Sequence, residues 1–476
     1  MTRRVLAGIA SAAALVGVSV AGGVLVASTL PFATRAVAAT ALVAAFSALA
    51  IWARTPAIAV GGFLFALPLL ERRDVFAGLD PGELVTLILV LLGALALFLE
   101  PPAQVRQRMQ LILWALVGLA FVGGISIADN GLLNPTQVAA AVLKPAAWAI
   151  VIYLVLVYFD SESKLRGLLL TLIASGAAAG AIGVIQFVTG HAPVSPGDSL
   201  ARADGTFEHY NQLGGFMALM SVPTLAYALS TRRGALKILL FTALLVELTA
   251  LLLSGTLGSL LGLLVAALIS VRLWSVRPVV GLVMTTLPLL ALVSLALLAP
   301  AQADRIGLVG QRANDRLRTY AAGLAVARDH LWFGTGSDER AVEEIENNPN
   351  YRFTRFGETG SQPHNVFLEA LVITGLPGLL LLAWLVWLVL RILMASRPKP
   401  EEKDYLLRWG IILGCIAFLV QNLTNTLLTH ARIGVIFLTL VVIAARLAAL
   451  RIVGDEETAT VSRRRSGELR DAISAA

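Results

Sequence analysis

The fold class this sequence predicts is all-α, a polytopic bundle of transmembrane helices, and three observations predict it. Of 476 residues, 57% are hydrophobic and only 14% are charged, against about 25% charged in soluble domains. Mean hydropathy is +0.81. Apolar runs long enough to cross a hydrocarbon core of roughly 30 Å as helices recur along the whole chain.

Taken in order, the runs place spans near 5–30, 36–53, 56–70, 84–99, 110–128, 137–159 and 166–188. Further spans fall near 212–229, 236–253, 257–271, 279–299, 365–390, 409–428 and 433–450. The runs 56–70 and 257–271 are short, so twelve to fourteen helices are expected. The first run follows Arg3 and Arg4 and outlasts the ~7–15 apolar residues of a signal peptide, so it reads as a retained span. The chain divides into N-terminal transmembrane helices over 1–164, a transmembrane core over 165–450 and a polar tail over 451–476 whose composition predicts disorder.

Charge sets the orientation. With the N-terminus inside, Arg54, Arg106, Arg108, Lys164, Arg232, Lys237, Arg272, Arg397 and Lys399 all fall in inside loops, as cytoplasmic anchors should. Both termini are then cytoplasmic. The net charge of +7 comes from these clusters between apolar runs, which argues against a nucleic-acid partner. One cysteine, Cys415, inside an apolar run, excludes a disulfide framework and a thiolate metal site. There is no G-x-x-x-x-G-K-[ST] phosphate loop, and five scattered His give no metal-ligand spacing, so no cofactor or metal is expected.

Two outside segments exceed a turn. The loop 189–211 holds Arg202, Asp204, Glu208, His209 and Asn211 just before a span. The loop 300–364 contains Arg305, Arg312, Arg316, Arg318, Arg328, Arg340, Arg352 and Arg355, with no Lys and with nine acids. Arginine without lysine suits planar, bidentate recognition of phosphate or carboxylate, although surface ion pairs explain single members equally well. Within this loop 315–327 reads as an amphipathic helix capped by Asn314. His364 closes the loop at the start of a strongly apolar helix, where a neutral imidazole can take a proton from a hydroxyl; a cap or interfacial role is the plainer alternative. Lys144, Gln186, Glu247, Asn422 and Asn425 fall within spans, where polar groups point to function by default. Lys144 can snorkel or meet a lipid phosphate, and Glu247 can pair with it or line a cavity. His430 and Arg432 form a rival base and phosphate contact.

Four blocks in this order resemble the O-antigen ligase and polymerase superfamily of bacterial lipid-linked glycan transferases. Arg202-Ala-Asp-Gly-Thr-Phe-Glu-His-Tyr-Asn211 is similar to R-x-x-G-T-F-x-x-P-N, with Tyr210 for Pro. The run from Leu251 through Ser254-Gly255 resembles an apolar-S-R-G block, with Gly255 where Arg is common. Arg316-Leu-Arg-Thr-Tyr320 and His330-Leu-Trp-Phe-Gly-Thr-Gly336 resemble R-L-x-x-W and H-P-L-F-G-x-G. His364-Asn-Val-Phe-Leu-Glu369 with Gly375 and Gly378 resembles H-N-x-x-L-E and two glycines. The likeness covers about 165–445.

The resemblance implies metal-independent, inverting glycan transfer from an undecaprenyl-diphosphate-linked donor to a hydroxyl of a glycan, lipid or protein acceptor, on the outer face of a bacterial cytoplasmic membrane. Arg202 and Arg316 would hold the diphosphate as catalytic groups and His364 would act as base. Arg312, Arg318, Asn211, Asn365 and Lys144 would bind substrate. Ligase and polymerase are not distinguished. A lipid-linked oligosaccharide flippase or secondary transporter is the alternative, as is a peptidoglycan polymerase of the shape, elongation and division class. The carrier gives no reason for the Arg-only loop, and the acidic residue expected of that polymerase class in a comparable outer loop is not evident as a motif, Asp315 and Asp329 being its candidates.

Overall fold

The computed structural model describes residues 55–70, 103–132, 135–194, 201–272, 317–348, 351 and 364–452. The expected spans 5–30, 36–53, 84–99 and 279–299, Asn314 and most of the tail lie outside them. The described residues form helices, with one isolated antiparallel bridge between Val194 and Ala201.

In chain order the helices are α1 Pro56–Ala66, ending in a 3-10 turn Leu67–Leu69, then α2 Ala103–Asp129, α3 Pro135–Tyr158 and α4 Glu162–Val188. Next come α5 Tyr210–Ser230, α6 Gly234–Ser254, α7 Leu257–Arg272, α8 over 317–329 and α9 Asp338–Asn347. The last three are α10 Val366–Ala395, α11 Tyr405–Gln421 and α12 Ala431–Ile452. Helices α2, α4, α5, α6, α10 and α12 are long and apolar enough to cross a membrane. This is a polytopic all-α bundle.

α5 and α12 are buried nearly all round and form the centre. α5 packs on α4, α6, α7 and α11; α2 packs on α3 and α10. Lipid tails are as apolar as leucine, so close fit rather than water exclusion holds such helices together. Small residues permit it: a Cβ on Gly262 of α7 would lie 2.3 Å from the Ala417 carbonyl of α11.

Two boundaries differ from expectation. The run 409–428 is not one helix: α11 stops at Gln421, with Asn422 as its C-cap, and residues 422–430 form a turn before α12. Asn422 and Asn425 therefore belong to a turn, not to a span. Asn422 Oδ1 accepts from Leu428 N at 2.6 Å, a local bond that competes with helix continuation. The run 56–70 holds only 11 α-helical residues, about half the length needed to cross.

α10 is interrupted at Gly375 (φ 69, ψ −168). The break divides a short helix, Val366–Thr374, from Leu376–Ala395, which is long enough to span by itself. Breaking a helix frees backbone groups, and at membrane depth these must be satisfied by protein. The segment 331–336 does so. Thr335 N and Gly336 N donate to the carbonyls of Val372 and Ile373 at 2.8 and 2.9 Å, and Leu376 N donates to Leu331 O at 2.8 Å. Ser126 Oγ of α2 lies between the Ile373 carbonyl, at 2.8 Å, and that of Phe333. A Cβ on Gly375 would lie 2.4 Å from the Trp332 carbonyl, so only glycine fits the joint.

Candidate functional site at one end of the bundle

The ends of α2, α4, α6 and α11 and the starts of α5, α7, α10 and α12 come together at one end of the bundle, linked by the bonds below; this is the site end. The loop after α4 is folded onto it. Gln186 Nε2 donates to Asp204 Oδ1 at 2.7 Å, and its Oε1 accepts from Gly205 N at 2.9 Å. Ala203 N donates to Leu253 O at 3.1 Å, and Thr206 Oγ1 donates to Pro68 O. Gln186 thus has a definite role, holding this loop.

That loop delivers Arg202. It is 4% exposed, and its guanidinium lies 4.3 Å from the centre of the Tyr210 ring. Tyr210 opens α5 at the first helical position, where proline is common because its missing N–H is not needed there. An aromatic ring at this position gives the arginine a stacking partner. His209 caps the helix, its Nδ1 accepting from Asn211 N at 3.1 Å. The Asn211 carbonyl accepts from Gln421 Nε2 of α11 at 3.3 Å.

Gly255, the departure in the second block, has a backbone explanation. It is the C-cap of α6 with φ 61, in the left-handed region that arginine adopts at a cost. Next to it, Thr256 Oγ1 donates to the Tyr210 carbonyl at 3.2 Å, tying the first two blocks together.

His364 precedes Asn365, the cap of α10, and also has a positive φ of 39. Among non-glycine residues histidine, asparagine and aspartate tolerate this region best. The cap is Asn365, whose Oδ1 accepts from Phe367 N and Leu368 N at 3.0 and 3.1 Å. Its Nδ2 donates to the Leu423 carbonyl at 3.0 Å, and Tyr320 OH of α8 donates to the same carbonyl at 3.3 Å. The third and fourth blocks therefore meet twice, here and at the break in α10. One turn into the helix, Glu369 Oε2 accepts from Thr429 Oγ1 at 2.7 Å, and Lys144 lies within electrostatic reach of it.

The loop 300–364 contributes α8 and α9. Ala322, Val326, Ala327, Ala341, Ile345 and Tyr351 pack with Val372 of α10. His330 Nε2 and Glu344 Oε2 are 2.8 Å apart. Tyr351 donates to the Asp329 carboxylate, and this bond, helped by burial, pushes its phenol up to about 12.

Arg202, Asn211, His364 and Asn365 gather at the site end, and exposed Arg318 is on α8. Arg316 and Arg312 lie outside the described residues. Lys144 is exposed, beside Pro145 within α3. Glu247 lies elsewhere: fully buried on α6, it accepts from Thr224 Oγ1 at 3.2 Å rather than pairing with Lys144. His430 Nε2 lies 3.9 Å from Glu208 Oε1, joining the turn before α12 to the loop before α5. Arg432 Nη1 donates to Leu70 O. Sequence reasoning missed Glu369, Thr429 and the turn 422–430; the signal available was the density of Asn and Thr in 422–429. Among the described residues no three His, Cys, Asp or Glu side chains cluster as a metal site would.

A multi-pass all-α bundle with arginine, histidine and carboxylate side chains gathered at one end defines a polytopic membrane protein. The O-antigen ligase family profile matches residues 239–383, a segment that holds three of the four blocks and both halves of the joint at Gly375. Residues 239–383 are thus similar to an O-antigen ligase domain, which supports the resemblance to the O-antigen ligase and polymerase superfamily and a membrane glycan-transfer function of that type. No curated protein matches the chain.

Proposed function

We propose that this protein transfers a glycan from an undecaprenyl-diphosphate carrier to a hydroxyl acceptor at the outer face of the bacterial cytoplasmic membrane, without a metal and with inversion. The observation that carries this reading is the shared Leu423 carbonyl, which brings α8 and the His364–Asn365 pair to one point.

On this reading the site end faces outward and both termini are cytoplasmic. Arg202 and Arg316, with Arg312 and Arg318 as further contacts, hold the diphosphate and stabilise the charge it gains on leaving. The acceptor oxygen forms the new bond to the anomeric carbon as the bond from that carbon to the diphosphate breaks. His364 takes the proton that the acceptor oxygen loses. Asn211, Asn365 and Lys144 serve as contacts to the donor or acceptor. The left-handed backbone at His364 turns the chain from the loop into α10.

The test follows free undecaprenyl diphosphate released by purified protein in lipid, given an undecaprenyl-diphosphate oligosaccharide and a panel of hydroxyl acceptors. Wild type should release it with one acceptor class, and His364→Asn should not. A glycan ladder identifies a polymerase and a single addition a ligase. Undiminished release by His364→Asn overturns the assignment of the base and favours His430. Movement of intact donor across the bilayer with no release would replace the transferase with a carrier.

A further inference from the structure

α8 is apolar on two opposite faces. One face packs Ala322, Val326 and Ala327 into the small cluster over α10. On the other, Leu317, Ala321 and Leu324 follow at i, i+4 and i+7, which aligns them in one stripe. Leu317 is 63% exposed and Leu324 56% exposed. The corner that follows continues the stripe with exposed Leu331, Trp332 and Phe333, Trp332 at 64%. A helix resting on a protein surface in water has use for one apolar face. A second implies a second apolar neighbour.

Two helices measure where this corner lies. The segment Leu376–Ala395 of α10 covers about 30 Å at 1.5 Å per residue, the thickness of the hydrocarbon core, and is followed by Arg397 and Lys399. α2 runs alongside, and Ser126 is level with Ile373 through their 2.8 Å bond. Arg106 stands twenty residues before Ser126, again about 30 Å away. Both lengths put Ile373–Gly375 at the site-end boundary of the hydrocarbon. Leu331–Gly336 is bonded to that boundary, so the exposed Leu331, Trp332 and Phe333 stand at the depth of the lipid headgroups, where tryptophan is favoured. Leu380 of α10, five residues beyond Gly375, and Phe121 of α2, five before Ser126, are exposed as well.

We propose that α8 and the Leu331–Phe333 corner form an interfacial surface whose partner is the bilayer itself, seated in the headgroup layer of the site-end leaflet. Arg328, exposed at the end of the stripe, extends its stem over apolar surface while its guanidinium reaches lipid phosphate. The inference rests on α2 and α10 crossing a bilayer and not on the reaction proposed above.

The test uses full-length protein in lipid nanodiscs. Cys415, the single cysteine, is replaced in a Cys415→Ala background, and Leu324→Cys and Trp332→Cys are spin-labelled one at a time. Leu380→Cys on α10 is the reference for hydrocarbon and Glu343→Cys on α9 the reference for water. Relaxation by oxygen, which dissolves in lipid, is compared with relaxation by a water-soluble nickel chelate. The oxygen-to-nickel ratio at Leu324→Cys and Trp332→Cys should stand several-fold above that at Glu343→Cys and at or below that at Leu380→Cys. A ratio equal to that at Glu343→Cys overturns the proposal in favour of a water-facing stripe. Protection from both reagents overturns it in favour of a stripe covered by protein.

Discussion

The two ends of the bundle are held together by different chemistry. At the far end, where α3 ends, α4 begins and α11 begins, charges meet charges. Arg408, with its side chain 4% exposed, reaches the carboxylates of Glu402 and Asp404 and donates to the Ser396 carbonyl through Nε and Nη2 at 3.1 and 2.7 Å. Arg451 extends the network from Asp404 to Glu162, with 3.7 and 3.5 Å separations. Lys164 and Asp160 are 2.8 Å apart, as are Arg166 and Glu162. At the site end the long-range bonds are made largely to peptide carbonyls, those of Val372, Ile373, Leu423, Leu253 and Pro68 among them. The far end uses its arginines for cohesion. The site end coheres mainly through backbone, amide and hydroxyl groups.

This contrast can be broken from either side. The largest expected effect is at the far end: Arg408→Ala removes one of the two arginines 3.7 Å from Asp404, 1% exposed, and both donors to the Ser396 carbonyl, and with Arg451 remaining should cost about 3 kcal/mol of stability, the low end for a broken buried pair. Thermal unfolding in nanodiscs measures it, and turnover per folded molecule should stay near wild type. A matching loss of turnover would mean that the far end takes part in the chemistry. His364→Asn is the reverse case. It keeps a residue suited to positive φ and should lower turnover at least ~100-fold, the scale of a lost general base, with the melting temperature unchanged. Gly375→Ala sharpens the comparison between the ends. A side chain in the left-handed region and against the Trp332 carbonyl should cost about 1–3 kcal/mol from backbone strain alone and should loosen α8. Its signature is faster proteolysis within 331–348 than within the far-end loops; equal rates would show that the joint does not hold the loop.

The smallest effect concerns pH. The bond from Lys164 holds the Asp160 carboxyl below the usual carboxylate range. A depressed folded-state value means the stabilisation is present above the ordinary value near 4 and is lost as pH falls through the folded one. The pair is exposed, so its worth is at most the ~0.2–1 kcal/mol of surface ion pairs. The difference in melting temperature between wild type and Lys164→Met should therefore be small at pH 7 and shrink as pH falls below about 4. A difference that grows on acidification would contradict the sign.

The all-α membrane class was legible from hydropathy, since a span needs only a run of apolar residues. Helices α4, α5, α6 and α10 begin and end within a few residues of the apolar runs, except that α10 continues to Ala395. The false continuation of 409–428 arose because Leu423, Leu427 and Leu428 keep the average apolar while Asn422 ends the helix through its own backbone contacts. The site was half legible. Arginine, histidine and asparagine identify themselves by chemistry, and the four blocks supplied their order. What brings them together does not, because carbonyls such as that of Leu423 carry no mark in a one-letter code. Gly255 was only a departure from its block until its φ of 61 gave it a structural reason. Glu369 was visible as a letter within a block, but its partner Thr429 is 60 residues away.

The joint at Gly375 has a consequence for how such chains diverge. Its bonds run between peptide groups, which are the same whichever amino acid supplies them. Residues 331–333 and 372–374 can drift in identity without loosening it, provided two opposed glycines, at 334 and 375, leave room for the backbones to touch. A distant relative would then share a pair of facing gaps rather than a word of side chains. Searches that score letters one by one would pass it over, while a search for two glycine-broken segments flanking an amphipathic helix would find it.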